Sequence, residues 1–224
     1  MRAALRALLF EIRAARTARR AAGAFRALRD RQGLKVHIGA GDDIRLGWVN
    51  IDLALRIPPQ IDPAAHPDTL FINYDLRRGL PLATGSCDYI YSSHFLEHLE
   101  FADARALMRD CHRALRPGGT FRAGLPNMKA TFRAYLDGDE SYFDLVNIRE
   151  ARPDIAPGGE MLVDYVNYGV YQGGEHKCIY DEEKAVQLLE EIGFATVAAV
   201  DFEEGVDPPS PLRRRYSFYV QAVK

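Results

Sequence analysis

Three cysteines, Cys87, Cys111 and Cys178, are all that the 224-residue chain carries, and no two of them form a Cys-x-x-Cys pair. So odd and scattered a set suggests neither a disulfide framework nor a structural zinc site, and it suits a reducing cytoplasm. Long apolar runs are missing too. None approaches the roughly 18 to 20 residues that a membrane span requires, and the N-terminus has no signal-type apolar core before a cleavage site. The first 31 residues contain no serine, which argues against a mitochondrial transit peptide. There is no internal repeat, no low-complexity tract and no complete Gly-x-Gly-x-x-Gly, the last of which weakens a nicotinamide-dinucleotide reading.

What is present suits one globular domain with a sizeable core: 47% of residues are hydrophobic and 27% charged. The net charge of -2 hides an asymmetry. Met1 to Arg31 holds nine arginines against Glu11 and Asp30, a net of +7, so the remainder carries -9. Leu5, Leu8, Leu9 and Ile12 recur at helical spacing between arginines, which predicts a basic amphipathic helical extension over residues 1–31. Such a helix either packs on its own domain or a dimer mate, or rests on an anionic membrane surface or a partner. The acidic remainder disfavours nucleic acid, whose phosphates want a basic groove.

From Leu34 onward, short apolar runs alternate with helical segments, the pattern of an α/β, doubly wound, Rossmann-like sheet. Seven strands are expected, at Leu34 to Gly39, Trp48 to Asp52, Thr69 to Tyr74, Asp88 to Ser92, Gly119 to Leu125, Phe194 to Phe202 and Tyr216 to Val223. Ala104, Leu107, Met108, Cys111 and Leu115 line one face of a helix, which Pro117-Gly118-Gly119 stops. Asp181 caps a second helix with Ala185, Leu188, Leu189 and Ile192 inward, and Gly193 ends it. Two stretches break the alternation: Ala54 to Asp68, rich in proline, and a lid-like irregular insertion at about 151–180, rich in glycine and tyrosine. The run Arg213-Arg214-Arg215 reads as a solvated hairpin end.

The chemistry concentrates at Leu34 to Asp52, an apolar run, a Gly39-Ala40-Gly41 turn and a second run ending in a carboxylate. Glycines at that turn let backbone approach a ligand closely, and Asp52 stands where a neighbouring strand delivers an acid to ribose hydroxyls. The order predicts an adenosine-type cofactor. Asp52 follows Gly39 by only 13 positions, short of the roughly twenty of dinucleotide-binding folds.

Taken with later segments, the chain resembles the class I S-adenosylmethionine-dependent methyltransferases, within them the bacterial group with a compact type-11 methyltransferase domain. The resemblance runs from about Leu34 to Lys224. It is carried by His37-Ile38-Gly39-Ala40-Gly41, by Asp52, by Asn73-Tyr74-Asp75-Leu76 with Leu80-Pro81-Leu82, by Cys87 to Leu99 with its Leu96-Glu97-His98-Leu99 signature, and by Leu115-Arg116-Pro117-Gly118-Gly119. It implies S-adenosylmethionine as cofactor, touched by Gly39, Ala40, Gly41, Asp52, Leu53, Asp75, Leu76, Ser93 and His94, with Asp75 beside the adenine amine. It also implies a seven-stranded, mostly parallel sheet over residues 32–224 whose last strand enters antiparallel, as a hairpin with the sixth. The first crossover helix must be very short, because Asp42-Asp43 and Gly47-Trp48 follow the turn so closely.

His94, at the end of the fourth strand, and His176, in a segment resembling a late His-Lys element that folds over the site, are the catalytic candidates. No metal site is expected. The expected reaction is methyl transfer to a small-molecule or saccharide acceptor, by in-line O-methylation in glycan or secondary-metabolite chemistry. The alternatives are a methyltransferase-fold subunit that binds a partner without turnover, and aminopropyl transfer on the same fold.

Overall fold

A computed structural model describes residues 2–53, 61–62, 64–146 and 161–224. Among these, seven strands form one sheet in the order β3-β2-β1-β4-β5-β7-β6. The strands are β1 (Leu34–Ile38), β2 (Val49–Asp52), β3 (Leu70–Asn73), β4 (Cys87–Ser93), β5 (Leu115–Pro126), β6 (Thr196–Val200) and β7 (Ser217–Val223). Pairing is parallel from β3 through β5, and β7 lies antiparallel between β5 and β6. All seven expected runs become strands, and the last one reverses direction as expected. Chain order switches at β1, where β2 lies on one side and β4 on the other, and it is at such a reversal that a parallel sheet opens a crevice.

The central strands are covered on both faces and read as apolar runs for that reason: Val36, Ile38, Ile51, Ile90 and Phe121 are all buried. Helix α2 (Phe101–Ala114) buries Ala104, Leu107, Met108 and Cys111, the stripe its spacing requires. Leu115 then pairs directly with Cys87, so β5 begins before the Pro-Gly-Gly turn; that turn becomes an irregularity inside the strand. Asp181 accepts a hydrogen bond from the Lys184 amide at 2.8 Å and opens the next-to-last helix, Glu182–Ile192, which Gly193 closes in a left-handed conformation. The crossover from β1 to β2, residues 39–48, contains turns and no helix.

Helix α1 (Arg2–Ala27) occupies the N-terminal segment, and the face of it that packs is not the one holding Leu8 and Ile12. Ala14, Ala21 and Phe25, with Leu28 just beyond, are buried, and the Phe25 ring meets Tyr74 edge-on at 5.0 Å. Leu8 and Ile12 are exposed. Small alanines allow close approach of that face. No described helix is long and apolar enough to cross a membrane.

Residues 54–60 of the proline-rich stretch and 147–160, which include the start of the expected insertion, lie outside the described residues. Of the rest of that insertion, residues 162–171 form a helix and 175–180 carry no regular element. Helix α3 (Met128–Asp137) is followed by α4 (Leu162–Tyr171), then by a tight turn at Gln172–Gly174. Asp164 accepts from the Met161 amide at 2.9 Å to secure the first turn of α4. Gly169, one of the glycines that suggested a loop, sits in the helix because a Cβ there would lie 2.9 Å from the Met128 side chain. Its role is close packing against α3. With α5 (Glu182–Ile192) and the short α6 (Pro211–Tyr216), these complete the described α-helices.

Candidate active site

The nine residues expected to touch a cofactor all border one cleft of about 780 Å³ at the carboxyl ends of β1, β2 and β4. Gly39 leaves β1 with φ of 68°, and a Cβ on it would fall 2.0 Å from the Phe95 ring, so no side chain fits. Its amide and that of Ala40 donate to the Ile51 carbonyl oxygen, tying the turn to β2. Gly41 (φ 51°) turns its amide onto Asp52, donating to Oδ2 at 2.6 Å. Burial pushes the Asp52 carboxyl up, while the Gly41 and Leu53 amides pull it down. Asp52 thus has lone pairs in hand at the mouth of the cleft, where ribose hydroxyls would meet them. Ser93 adds a buried hydroxyl oxygen with no hydrogen-bond partner among the described residues. A narrow glycine cradle, a carboxylate and an unused hydroxyl fit an adenosyl cofactor.

Asp75 borders the same cleft, but its carboxylate is already engaged. Arg77 donates to it from Nε at 3.0 Å and from a terminal nitrogen at 2.8 Å, and the Arg77 amide adds 3.1 Å. Arg77 continues to Glu11 of α1 at 2.9 Å, and its guanidinium lies 4.8 Å from the centre of the Phe10 ring, which itself borders the cleft. The N-terminal helix therefore walls one end of the cofactor cleft. Of the alternatives open for this helix, packing on its own domain is the one this contact belongs to. The one signal for it was Glu11, a lone acid among the arginines of that helix.

His94 follows β4 with φ of 47°, a conformation uncommon for a residue with a side chain and worth reading as functional. Its Nε2 lies 2.7 Å from Ser217 Oγ. Burial, with Arg213 and two further histidines nearby, holds its pKa well below the usual histidine value, so the ring is neutral and carries a lone pair.

A second cavity, of about 430 Å³, opens on the other side of this ring. Aromatic Phe143, Tyr165, Tyr168 and Tyr216 line it together with polar Thr131, Gln172 and His176. Two residues border both spaces: His94 and Arg213. The arginine run is thus not a uniformly solvated hairpin end. Arg214 pairs with Glu204 at 2.6 Å and Arg215 with Asp144 at 2.9 Å, both outward. Arg213 turns inward from the same short helix and makes no ion pair with any described residue, and burial lowers its pKa. Three like residues in a row gave no sequence signal for this division, which comes from the turn of α6.

Residues 50–123 match the family described as Methyltransferase domain. The structure resembles a protein from Archaeoglobus fulgidus described as a SAM-dependent methyltransferase (14% identity, 95% of this chain and 94% of that one, TM-score 0.50). It also resembles a Bordetella parapertussis protein described as a possible exported protein (18% identity, 92% and 67%, TM-score 0.51). A third likeness is to phosphoethanolamine N-methyltransferase 2 of Haemonchus contortus, determined with S-adenosyl-L-methionine (12% identity, 87% and 49%, TM-score 0.51), of which this chain spans about half. At these identities the likenesses establish the fold. No curated protein matches the chain in sequence. The seven-stranded sheet, with its last strand antiparallel, is the Rossmann-like fold of the class I methyltransferases. The family match spans about a third of the chain.

Proposed function

We propose that the protein methylates an oxygen of a small, hydroxyl-bearing acceptor, a saccharide or a ring compound of similar size, by in-line displacement. The observation that carries this is the meeting of the two cavities at His94 and Arg213. S-adenosylmethionine supplies a methyl carbon already made electrophilic by its sulfonium. What the chain must add is alignment, exclusion of water and a place for the acceptor's proton, and alignment alone is worth on the order of 7 to 11 kcal/mol of barrier.

The aromatic and polar lining of the smaller cavity suits a sugar ring, which presents apolar faces and hydroxyl edges. The neutral His94 ring stands at the junction to take the hydroxyl proton as the carbon–oxygen bond forms and the carbon–sulfur bond breaks, its electron pair passing to sulfur. Arg213 places an unpaired positive charge there, which fits a carboxylate presented at the divide. His176 lines the acceptor side, with Nδ1 fixed 2.7 Å from the Gly169 carbonyl oxygen. The exposed Leu8 and Ile12 among arginines support contact of α1 with an anionic membrane surface.

Thermal unfolding with S-adenosylmethionine or S-adenosylhomocysteine tests the donor half. Ligand at about 100 times its dissociation constant adds roughly 2.7 kcal/mol, and Asp52→Ala should erase most of that gain. No shift with the wild-type chain would favour the non-catalytic alternative. For the acceptor half, hydroxylated candidates are screened by product mass. His94→Ala should then lower turnover while donor affinity stays nearly constant; equal losses in both would make His94 a donor-binding residue.

A further inference from the structure

The turn Leu96–His98 carries a group that the proposed reaction leaves unused. The Glu97 side chain is only 1% exposed, and neither carboxylate oxygen has a hydrogen-bond partner among the described residues. Its neighbours answer it only weakly: the neutral His94 ring has a nitrogen 3.7 Å away, and Arg213 attracts it without closing to an ion pair. Burial pushes its carboxyl up to about 8, so the group stays protonated unless a cation meets it and favours the charged form.

Two imidazoles converge on the same point. The Lys177 amide donates to the Glu97 backbone oxygen at 2.8 Å, which pins residues 175–178 against the turn and brings the His176 ring edge-on to His98 at 4.9 Å. One ligand atom from each of Glu97, His98 and His176 lies within 4.8 Å of the others. One ring nitrogen is committed to backbone: His176 Nδ1 faces the Gly169 carbonyl oxygen and must donate, so its Nε2 carries a lone pair. Burial holds the pKa of His98 below the usual histidine value, so that ring too offers a lone pair. Backbone orientation of the far ring nitrogen is how metal-binding histidines are commonly held.

We propose that Glu97, His98 and His176 bind a single divalent transition-metal ion of the zinc class. Two neutral nitrogens and one carboxylate form a suitable donor set that leaves coordination positions open. Bonds of about 2.1 Å would draw the three atoms to roughly 3 to 3.5 Å apart, a contraction within reach of side-chain rotation. His98 borders the cofactor cleft and His176 the acceptor cavity, so a metal held by both stands where the two meet. The proposal does not depend on the nature of the acceptor.

Tag-free full-length protein is stripped with chelator and dialysed against Zn²⁺ alone, with Co²⁺ as the absorbing probe. The expected result is one ion per chain and a Co²⁺ spectrum with visible bands of nitrogen and oxygen ligation. Glu97→Gln and His176→Ala should each weaken binding by at least the roughly 10- to 100-fold that loss of an outer-shell partner costs, and His98→Ala with His176→Ala should abolish it. Glu97→Gln preserves shape and His176 lies near the surface, so a folding defect in one leaves the other informative. The wild-type Co²⁺ spectrum stands apart from both. Absence of binding by the wild type would overturn the proposal, as would binding that survives the double substitution. Because ion content is read without donor or acceptor, failure here leaves the methyl-transfer reading standing.

Discussion

Asp207 and Glu97 are both shut away from water, with side chains 0% and 1% exposed, and the fold treats them in opposite ways. Asp207 receives Arg122 through two nitrogens, the Tyr91 hydroxyl at 2.9 Å and the Glu203 amide at 2.8 Å. Arg122 in turn donates to the Asp201 carbonyl oxygen at 2.8 Å. That network ties the segment between β6 and β7 to β4 and β5, and the segment supplies Pro208 to the cofactor cleft and Ser210 to the acceptor cavity. Glu97 receives no such partner. A charge that is fully answered holds a structure in place, whereas a buried carboxyl with no partner, pushed up to about 8 beside two imidazoles, is a cost the fold bears where a ligand would repay it.

The comparison breaks most easily at Asp207. Asp207→Ala leaves the Arg122 guanidinium buried without its carboxylate and should destabilise the protein by about 3 to 5 kcal/mol, measured as the shift in urea midpoint at constant slope. A loss below about 1 kcal/mol would mean that the network is not what fixes this segment. The acceptor cavity should loosen with it, because Ser210 follows Asp207 closely in the chain.

His37 extends the comparison to a group that burial keeps from gaining charge. Its ring is 1% exposed on β1, and burial, with Arg45 nearby, drives its pKa down to about 3. In the unfolded chain it takes up a proton near 6.5, so between those values the unfolded state binds more protons and stability falls as pH drops. At about 1.4 kcal/mol per unit, the loss reaches roughly 2 kcal/mol by pH 5. Urea unfolding of wild type and His37→Gln at pH 7 and pH 5 isolates it. The wild type should lose about that much more than the variant, and equal losses would show His37 accessible to protons in the folded state.

How far the sequence could be read follows from what each pattern reports. The strands were legible because apolar runs between turn signals survive any packing detail, as at Val36 and Ile38 or Phe218 and Val220. So were the ends of α5, where the Asp181 side chain and Gly193 act through local backbone geometry alone. The packed face of α1 was not, since alanines such as Ala14 and Ala21 carry too weak a periodic signal to outweigh Leu8 and Ile12. Helix α4 was hidden by Gly169, whose missing side chain serves Met128 on another element. That Gly39, Asp52, Asp75 and Ser93 would border one cleft was legible in the ordered motifs. The acceptor side was not, because Arg213 and the meeting of Glu97, His98 and His176 are set by long-range contacts between segments that are remote in sequence.

The smallest expected effect has the opposite sign and so gives the comparison its sharpest form. Glu97→Met replaces the carboxylate with an apolar side chain of similar length, in a place where neither oxygen has a partner to lose. Removing an unanswered buried polar group should be neutral or stabilising, by about 1 kcal/mol in chelator, because the desolvation cost vanishes and no bond is broken. The same urea experiment that shows Asp207→Ala collapsing should therefore show Glu97→Met unfolding at an equal or higher midpoint. The substitution should also abolish Zn²⁺ uptake, separating the cost of holding this carboxylate from the use it is held for. A loss rivalling that of Asp207→Ala would instead mean that Glu97 is answered within the protein in solution, and the two carboxylates would then share one structural role.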